Sequence, residues 1–188
     1  VAAVKLQAQN QTNPFLDKTE FKIGYYGNIA WDNGIQIGAE YLWKEKVKVK
    51  ERKRRQKKIA KQYLFNGSLG YSTNFNSKTD NGLSTYYGLI WRRTNPKGKQ
   101  LNIELNPIGY YRSFLPKTYE VKGDKVSKVS LAGRGYYAPS IAFGIGKLRK
   151  GKKRSGWYLN LNYTLRTNYN AGVLPVVSIH YGHRFNFK

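Results

Sequence analysis

Apolar and polar residues alternate along most of this chain, and that period of two limits its fold more than any other feature. A β-strand turns successive side chains to opposite faces, so sustained alternation marks strands with two unlike faces. Eight such segments are read: Phe21–Ala30, Ile35–Lys44, Gln62–Tyr71, Leu83–Arg92, Leu101–Arg112, Tyr137–Gly146, Trp157–Arg166 and Val173–Phe187. Between them, Asp32-Asn33-Gly34, Asp80-Asn81-Gly82, Pro96-Lys97-Gly98 and Asn170-Ala171-Gly172 carry residues that tolerate the positive φ of tight turns. No segment keeps a helical period, and no apolar run reaches the length of a membrane-spanning helix.

What each face carries separates the possible β folds. One face holds Phe21, Ile23, Tyr25, Ile35, Ile37, Tyr41, Trp43, Tyr63, Phe65, Tyr87, Leu89, Trp91, Leu101, Ile103, Leu105, Pro107 and Tyr111, then Tyr137, Phe143, Trp157, Leu161 and Val177. The other is rich in Gly, Ser, Asn and Gln with a few charges of both signs: Lys22, Glu40, Glu104, Arg112 and Arg166. Lys44 and Tyr110 also fall there on strict alternation. A soluble barrel keeps its apolar face inside and clothes the other in charge. Small polar residues with sparse, pairable charges suit instead the narrow lumen of an inside-out barrel. Tyr41, Trp43, Trp91, Trp157 and Tyr181 lie near segment ends, as interfacial aromatic girdles do. The expected fold is all-β: an eight-stranded antiparallel up-and-down transmembrane β-barrel. Residues 20–188 form its single domain, and residues 1–19 are either a signal-peptide remnant, with Ala8 before Gln9, or a disordered N-terminal tail.

The closing run His180-Tyr181-Gly182-His183-Arg184-Phe185-Asn186-Phe187 resembles the C-terminal assembly signal of bacterial outer-membrane β-barrel proteins. His180, Gly182, Phe185 and Phe187 match its polar residue, glycine and terminal aromatics, and Lys188 departs from it by following the last aromatic. The resemblance implies a bacterial outer-membrane location in the small size class of OmpA-transmembrane and OmpX-like barrels, with both termini periplasmic. Strand parity then assigns 31–34, 76–82, 113–134 and 168–172 to the outside. The polar 113–134 loop leaves two readings open, a contact with sugar, lipid or protein and a merely mobile loop.

The formal net charge is +24, and most of the 34 Lys and Arg residues fall in the three remaining connections. The first carries Lys44, Lys46, Lys48, Lys50, Arg52, Lys53, Arg54, Arg55, Lys57, Lys58 and Lys61. The second carries Arg92, Arg93, Lys97 and Lys99, and the third Lys147, Arg149, Lys150, Lys152, Lys153 and Arg154. Outer-membrane barrels usually have short periplasmic turns, so the first connection departs from their pattern. Val47 and Val49 are expected to continue the outward alternation, making the connection a ribbon that projects past the bilayer. An acidic partner for Lys46 through Lys58 and for Lys150, Lys152, Lys153 and Arg154 is expected: another envelope protein or an acidic envelope polymer, besides the membrane lipid itself.

Other functions leave thinner traces. A basic RNA-binding β-barrel would set exposed aromatics beside the basic residues, whereas here aromatics lie in strands and basics in turns, so nucleic acid is not an expected partner. A lipid A-modifying enzyme needs a His near a hydroxyl and an acid. Ser178 precedes His180, the reverse of the deacylase order, and His180 is expected to bond Glu40 or Glu104 structurally. No nucleotide loop or metal-spaced cluster occurs, Gly144-Ile145-Gly146 reads as strand interior, and no cofactor is implied. The sequence therefore reads as a non-enzymatic barrel.

Overall fold

The computed structural model describes residues 14–28, 32–52, 55–74, 81–123, 125–149, 155–169 and 172–186, with backbone alone for 50–52, 55–57 and 169. A short helix α1, Pro14–Lys18, leads into β1, Thr19–Asn28. There follow β2 Asn33–Arg52, β3 Arg55–Thr73, β4 Asn81–Thr94 and β5 Lys99–Phe114. A small hairpin of β6 Tyr119–Lys122 and β7 Lys125–Lys128 comes next, then β8 Gly133–Tyr137, β9 Ser140–Leu148, β10 Gly156–Tyr169 and β11 Gly172–Phe185.

Eight antiparallel strands form a ring in the order β1-β2-β3-β4-β5-β9-β10-β11, returning to β1. β8 extends the β9 position along β5, interrupted at Ala138–Pro139, where proline supplies no N–H for the ladder. The 113–134 connection carries the β6–β7 hairpin and leads into β8. Asn33-Gly34 and Asn81-Gly82 lie inside strands. Asp80, Asn170, Ala171, Ile29 and Ala30, like residues 1–13, lie outside the described residues. Of the 1–19 segment, 14–19 packs on the barrel: Phe15 stacks on Tyr41 at 5.3 Å between ring centroids.

The seam between first and last strand depends on two glycines. Gly24 and Gly182 are direct partners, and a Cβ on Gly182 would stand 2.2 Å from the Ile23 carbonyl oxygen. On the outer face Phe21 stacks on Phe185, and beneath them Asn186 Nδ2 donates to the Thr19 and Leu16 carbonyls at 2.7 and 3.1 Å.

The ring is inside out. Ile35 is 63% exposed and Phe143 55%, whereas Glu40 and Arg92 are fully buried. In water an outer wall of Ile, Leu, Phe and Tyr would forgo its burial energy. In apolar surroundings the same wall gains it, at roughly 25 cal/mol per Å².

Two bulges reset the alternation. Trp43 is the extra residue of the first, between Leu42↔Leu64 and Lys44↔Tyr63. Lys44, Lys46 and Lys48 therefore take the outer face, and Val47 and Val49 the phase of the lumen, marked by Gln62 Nε2 donating to Glu45 at 2.9 Å. The expected outward course of Val47 and Val49 is corrected accordingly. The second bulge lies at Asn106–Pro107, which oppose Gly88 alone. It turns Tyr110 and Arg112 outward and buries Tyr111, reversing the expected placement of all three. The Pro107 carbonyl accepts from the Tyr137 hydroxyl at 2.5 Å.

Candidate functional site

Two regions gather the polar chemistry: the lumen and the rim that holds the start of β1 and the end of β11. In the lumen, the inward residues of β1, β2, β4 and β11 converge on Glu40. Lys22 Nζ lies 3.4 Å from its carboxylate, Arg184 Nε 3.1 Å, and Arg92 forms a direct ion pair with it. Arg92 also reaches Glu20 at 2.7 Å and donates to Asn102 at 3.0 Å. Three cations and two carboxylates thus share one buried cluster, with the Arg184 guanidinium 4.7 Å from the centre of the Tyr158 ring. Glu104 accepts from Asn160 at 2.7 Å, and Arg166 lies over Tyr111 at 3.5 Å. An eight-stranded ring has room inside only for side chains.

Arg92, expected at the basic rim, belongs to the lumen instead. Sequence reasoning misses Glu20, Arg92 and Arg184 as members of the ion cluster, although the even-numbered phase they share with Lys22 and Glu40 is a legible signal. The expected partner of His180 is also corrected. Glu40 is occupied by three cations and Glu104 by Asn160, so the His180 imidazole meets Ser178 Oγ at 3.1 Å, with Tyr26 and Tyr86 rings at 4.9 and 6.2 Å. Of the terminal motif, Gly182 and Phe185 sit in the seam, His180 faces the lumen, and Phe187 lies outside the described residues.

At the rim, β3 is covered by β4 only as far as Ala60↔Thr94, and β2 by β1 only as far as Thr19↔Tyr41. From Lys48↔Ile59 to Arg52↔Arg55 the β2–β3 ladder stands alone. This ribbon reaches roughly 15 Å past the ring at about 3.4 Å per residue. Lys48 and Lys58 are exposed on it, and Lys46 is exposed at its base. Lys50, Arg52, Arg55 and Lys57 belong to its strands by backbone, while Lys53, Arg54, Lys150, Lys152, Lys153 and Arg154 lie outside the described residues.

Inward from the ribbon, the outer face carries cations in facing positions. Lys46 pairs with Lys61, Lys61 with Arg93, and on the far side of the β4–β5 turn Lys99 pairs with Lys147. That turn is held by Asn95, whose Oδ1 accepts from the Lys97 and Lys99 amides at 3.0 and 2.9 Å, and by Gly98 at φ 76°. One row nearer the barrel centre, or beside the cations, stand Trp43, Tyr63, Trp91 and Trp157.

No protein-family model matches the sequence, and no curated protein sequence does. Among solved structures, the chain is similar to Ail, the attachment invasion locus protein of Yersinia pestis. The TM-score is 0.33 at 12% identity over 89% of this chain and 97% of that one. It is also similar to the β-domain of the Bordetella autotransporter BrkA, with TM-score 0.32 at 8% identity over 90% and 98%. The ring and its two unlike faces, rather than these distant likenesses, mark the chain as a membrane barrel.

Proposed function

We propose that this chain is a bacterial outer-membrane β-barrel that acts as a non-enzymatic anchoring and interaction subunit of an envelope complex. Its termini and basic rim lie in the periplasm, and the β2–β3 ribbon docks on an acidic face of another envelope protein. The observation that carries the role is the ribbon: two strands continue past the ring with cations along them and no packing partner among the described residues. An apolar outer wall around a dry, ion-paired lumen supports membrane insertion, and the filled lumen argues against transport. Summed positive charge attracts an acidic surface over a range set by ionic strength.

The test measures the mass of the particle carrying the protein after extraction from outer membranes in mild detergent. The wild type is expected in a particle well above the mass of barrel plus detergent. The variant with Lys46, Lys48 and Lys58 changed to Gln is expected as a lone barrel. A lone wild-type barrel sinks the docking role while leaving the barrel intact.

The Ser178–His180 contact favours one second reading, an enzyme acting on lipid. Both residues are buried in the lumen wall. His180→Ala decides it: an envelope lipid modification lost while the barrel stays folded favours the enzyme, and an unchanged lipid profile favours the anchor.

A further inference from the structure

The cations on the outer wall are arranged in a way that the ribbon does not explain. Like charges directly opposite on neighbouring strands destabilise a sheet. Here Lys99 faces Lys147, and Arg93 stands in register with Leu101 on the next strand, one row away. None of the three is ion-paired with a carboxylate of the described residues, and all are exposed. The positions are built rather than incidental. Asn95 fixes the turn that delivers Lys99, and the Leu148 amide donates to Gly98 O at 2.9 Å, tying that turn to the strand that carries Lys147.

Directly alongside, on the same outer face, runs an apolar groove of about 350 Å³, at the small end of ligand sites, which span roughly 300–1,000 Å³. Leu101, Phe143, Ile145, Leu159, Leu161 and Ile179 line it. Leu101↔Ile145 is the row two residues along from Lys99↔Lys147, about 7 Å away by strand rise. Trp157, paired with Lys147, marks the level where chain and headgroup meet. A charged end with an indole beside it gives way to an apolar trough down the wall, in the order of an amphiphile's own parts.

The geometry points to a binding site for an anionic phospholipid, its headgroup phosphate held between Arg93, Lys99 and Lys147 and one acyl chain laid in the Leu101–Phe143–Ile179 groove. The phosphate neutralises the facing cations, which no protein carboxylate among the described residues does, and the groove holds the chain by burial. The inference rests on the membrane-barrel reading above, and it assigns the lipid to the leaflet on the side of the chain termini. It is independent of the ribbon's partner.

The test is native mass spectrometry of the detergent-purified protein titrated with phosphatidylglycerol, phosphatidylcholine or lipid A. Phosphatidylglycerol is expected to be retained most tightly. The triple variant Arg93→Gln, Lys99→Gln, Lys147→Gln is expected to lose that preference by on the order of a hundredfold, at about 1 kcal/mol per cation near a lipid surface. Leu161→Trp, which fills the groove and leaves the charges in place, is expected to weaken retention of a two-chain lipid while the charge preference persists. Equal retention of phosphatidylcholine overturns the site, as does a triple variant that binds like the wild type. Tighter retention of lipid A overturns the assignment to phospholipid. A chain that inserts into phosphatidylcholine vesicles yet shows no lipid preference fails the site alone, and a chain that inserts into no vesicle fails the barrel reading and the site with it.

Discussion

The lumen and the basic rim hold the same kinds of cation under opposite rules. Around Glu40, each of the buried Lys22, Arg92 and Arg184 finds a carboxylate within ion-pair distance. At the rim, Lys46, Lys61 and Arg93 stand in one row facing each other, as do Lys99 and Lys147. A buried charge left unpaired costs several kcal/mol, so each cation of the lumen cluster is held against a carboxylate. A charge at the surface costs little, so the rim is free to leave its balance to whatever lies outside. Internal pairing makes the lumen a structural device, whereas the unpaired cations of the rim are what the proposed binding roles rest on.

The largest expected effect breaks the lumen's balance. Glu40→Ala leaves three cations around an empty position and is expected to destabilise the barrel by about 3–5 kcal/mol. Urea unfolding in lipid vesicles measures this, and a loss no larger than that of Lys46→Ala, expected within about 0.5 kcal/mol, would erase the contrast. Next in size is the seam. Gly182→Val forces a side chain against the Ile23 carbonyl and is expected to cost about 1–3 kcal/mol. The readout is the fraction of unheated protein that migrates as a compact barrel on a gel, and full compaction would show that the seam tolerates a side chain.

Sharpening the rim's side of the comparison calls for a gain rather than a loss. Lys61→Glu converts the Lys46–Lys61–Arg93 row into alternating charge and is expected to stabilise the barrel by about 0.2–1 kcal/mol. A loss of stability would mean that the row is already neutralised from outside in the assay lipid, so the measurement is made in phosphatidylcholine. The smallest effect on folding comes from salt. Raising ionic strength from about 0.1 to about 1 M shortens screening from about 10 Å to about 3 Å. Partner association at the ribbon is expected to fall while the unfolding midpoint stays put, because the lumen pairs are shielded from ions.

Legibility from the sequence divides along the same line. The face of each residue is readable wherever strands run without interruption: Ser178, His180, Gly182 and Arg184 fall inside and Val177 and Tyr181 outside, as period two requires. It fails immediately after Trp43 and after Asn106–Pro107, since one inserted residue flips everything beyond it. Pro107 carries a signal, because a proline within a strand marks a bulge or an unpaired edge. Trp43 carries none, being as good a strand residue as its neighbours. At the candidate site, the basic residues are visible as a cluster, but not which of them are paired. Arg92 and Arg93 are neighbours in sequence, and only the pleat sends one to Glu40 and the other to the outer wall.

The sequence by itself determined that this chain forms eight two-faced strands with an apolar outside and a polar inside, because alternation is a local property that each strand expresses alone. Tertiary structure decided the rest: that Gly24 meets Gly182 to complete the ring, that Glu40 draws cations from three other strands, and that Lys99 faces Lys147 beside an apolar groove. These contacts join residues far apart in the chain. Their register depends on bulges and on ring closure, and the alternation of apolar and polar residues encodes neither.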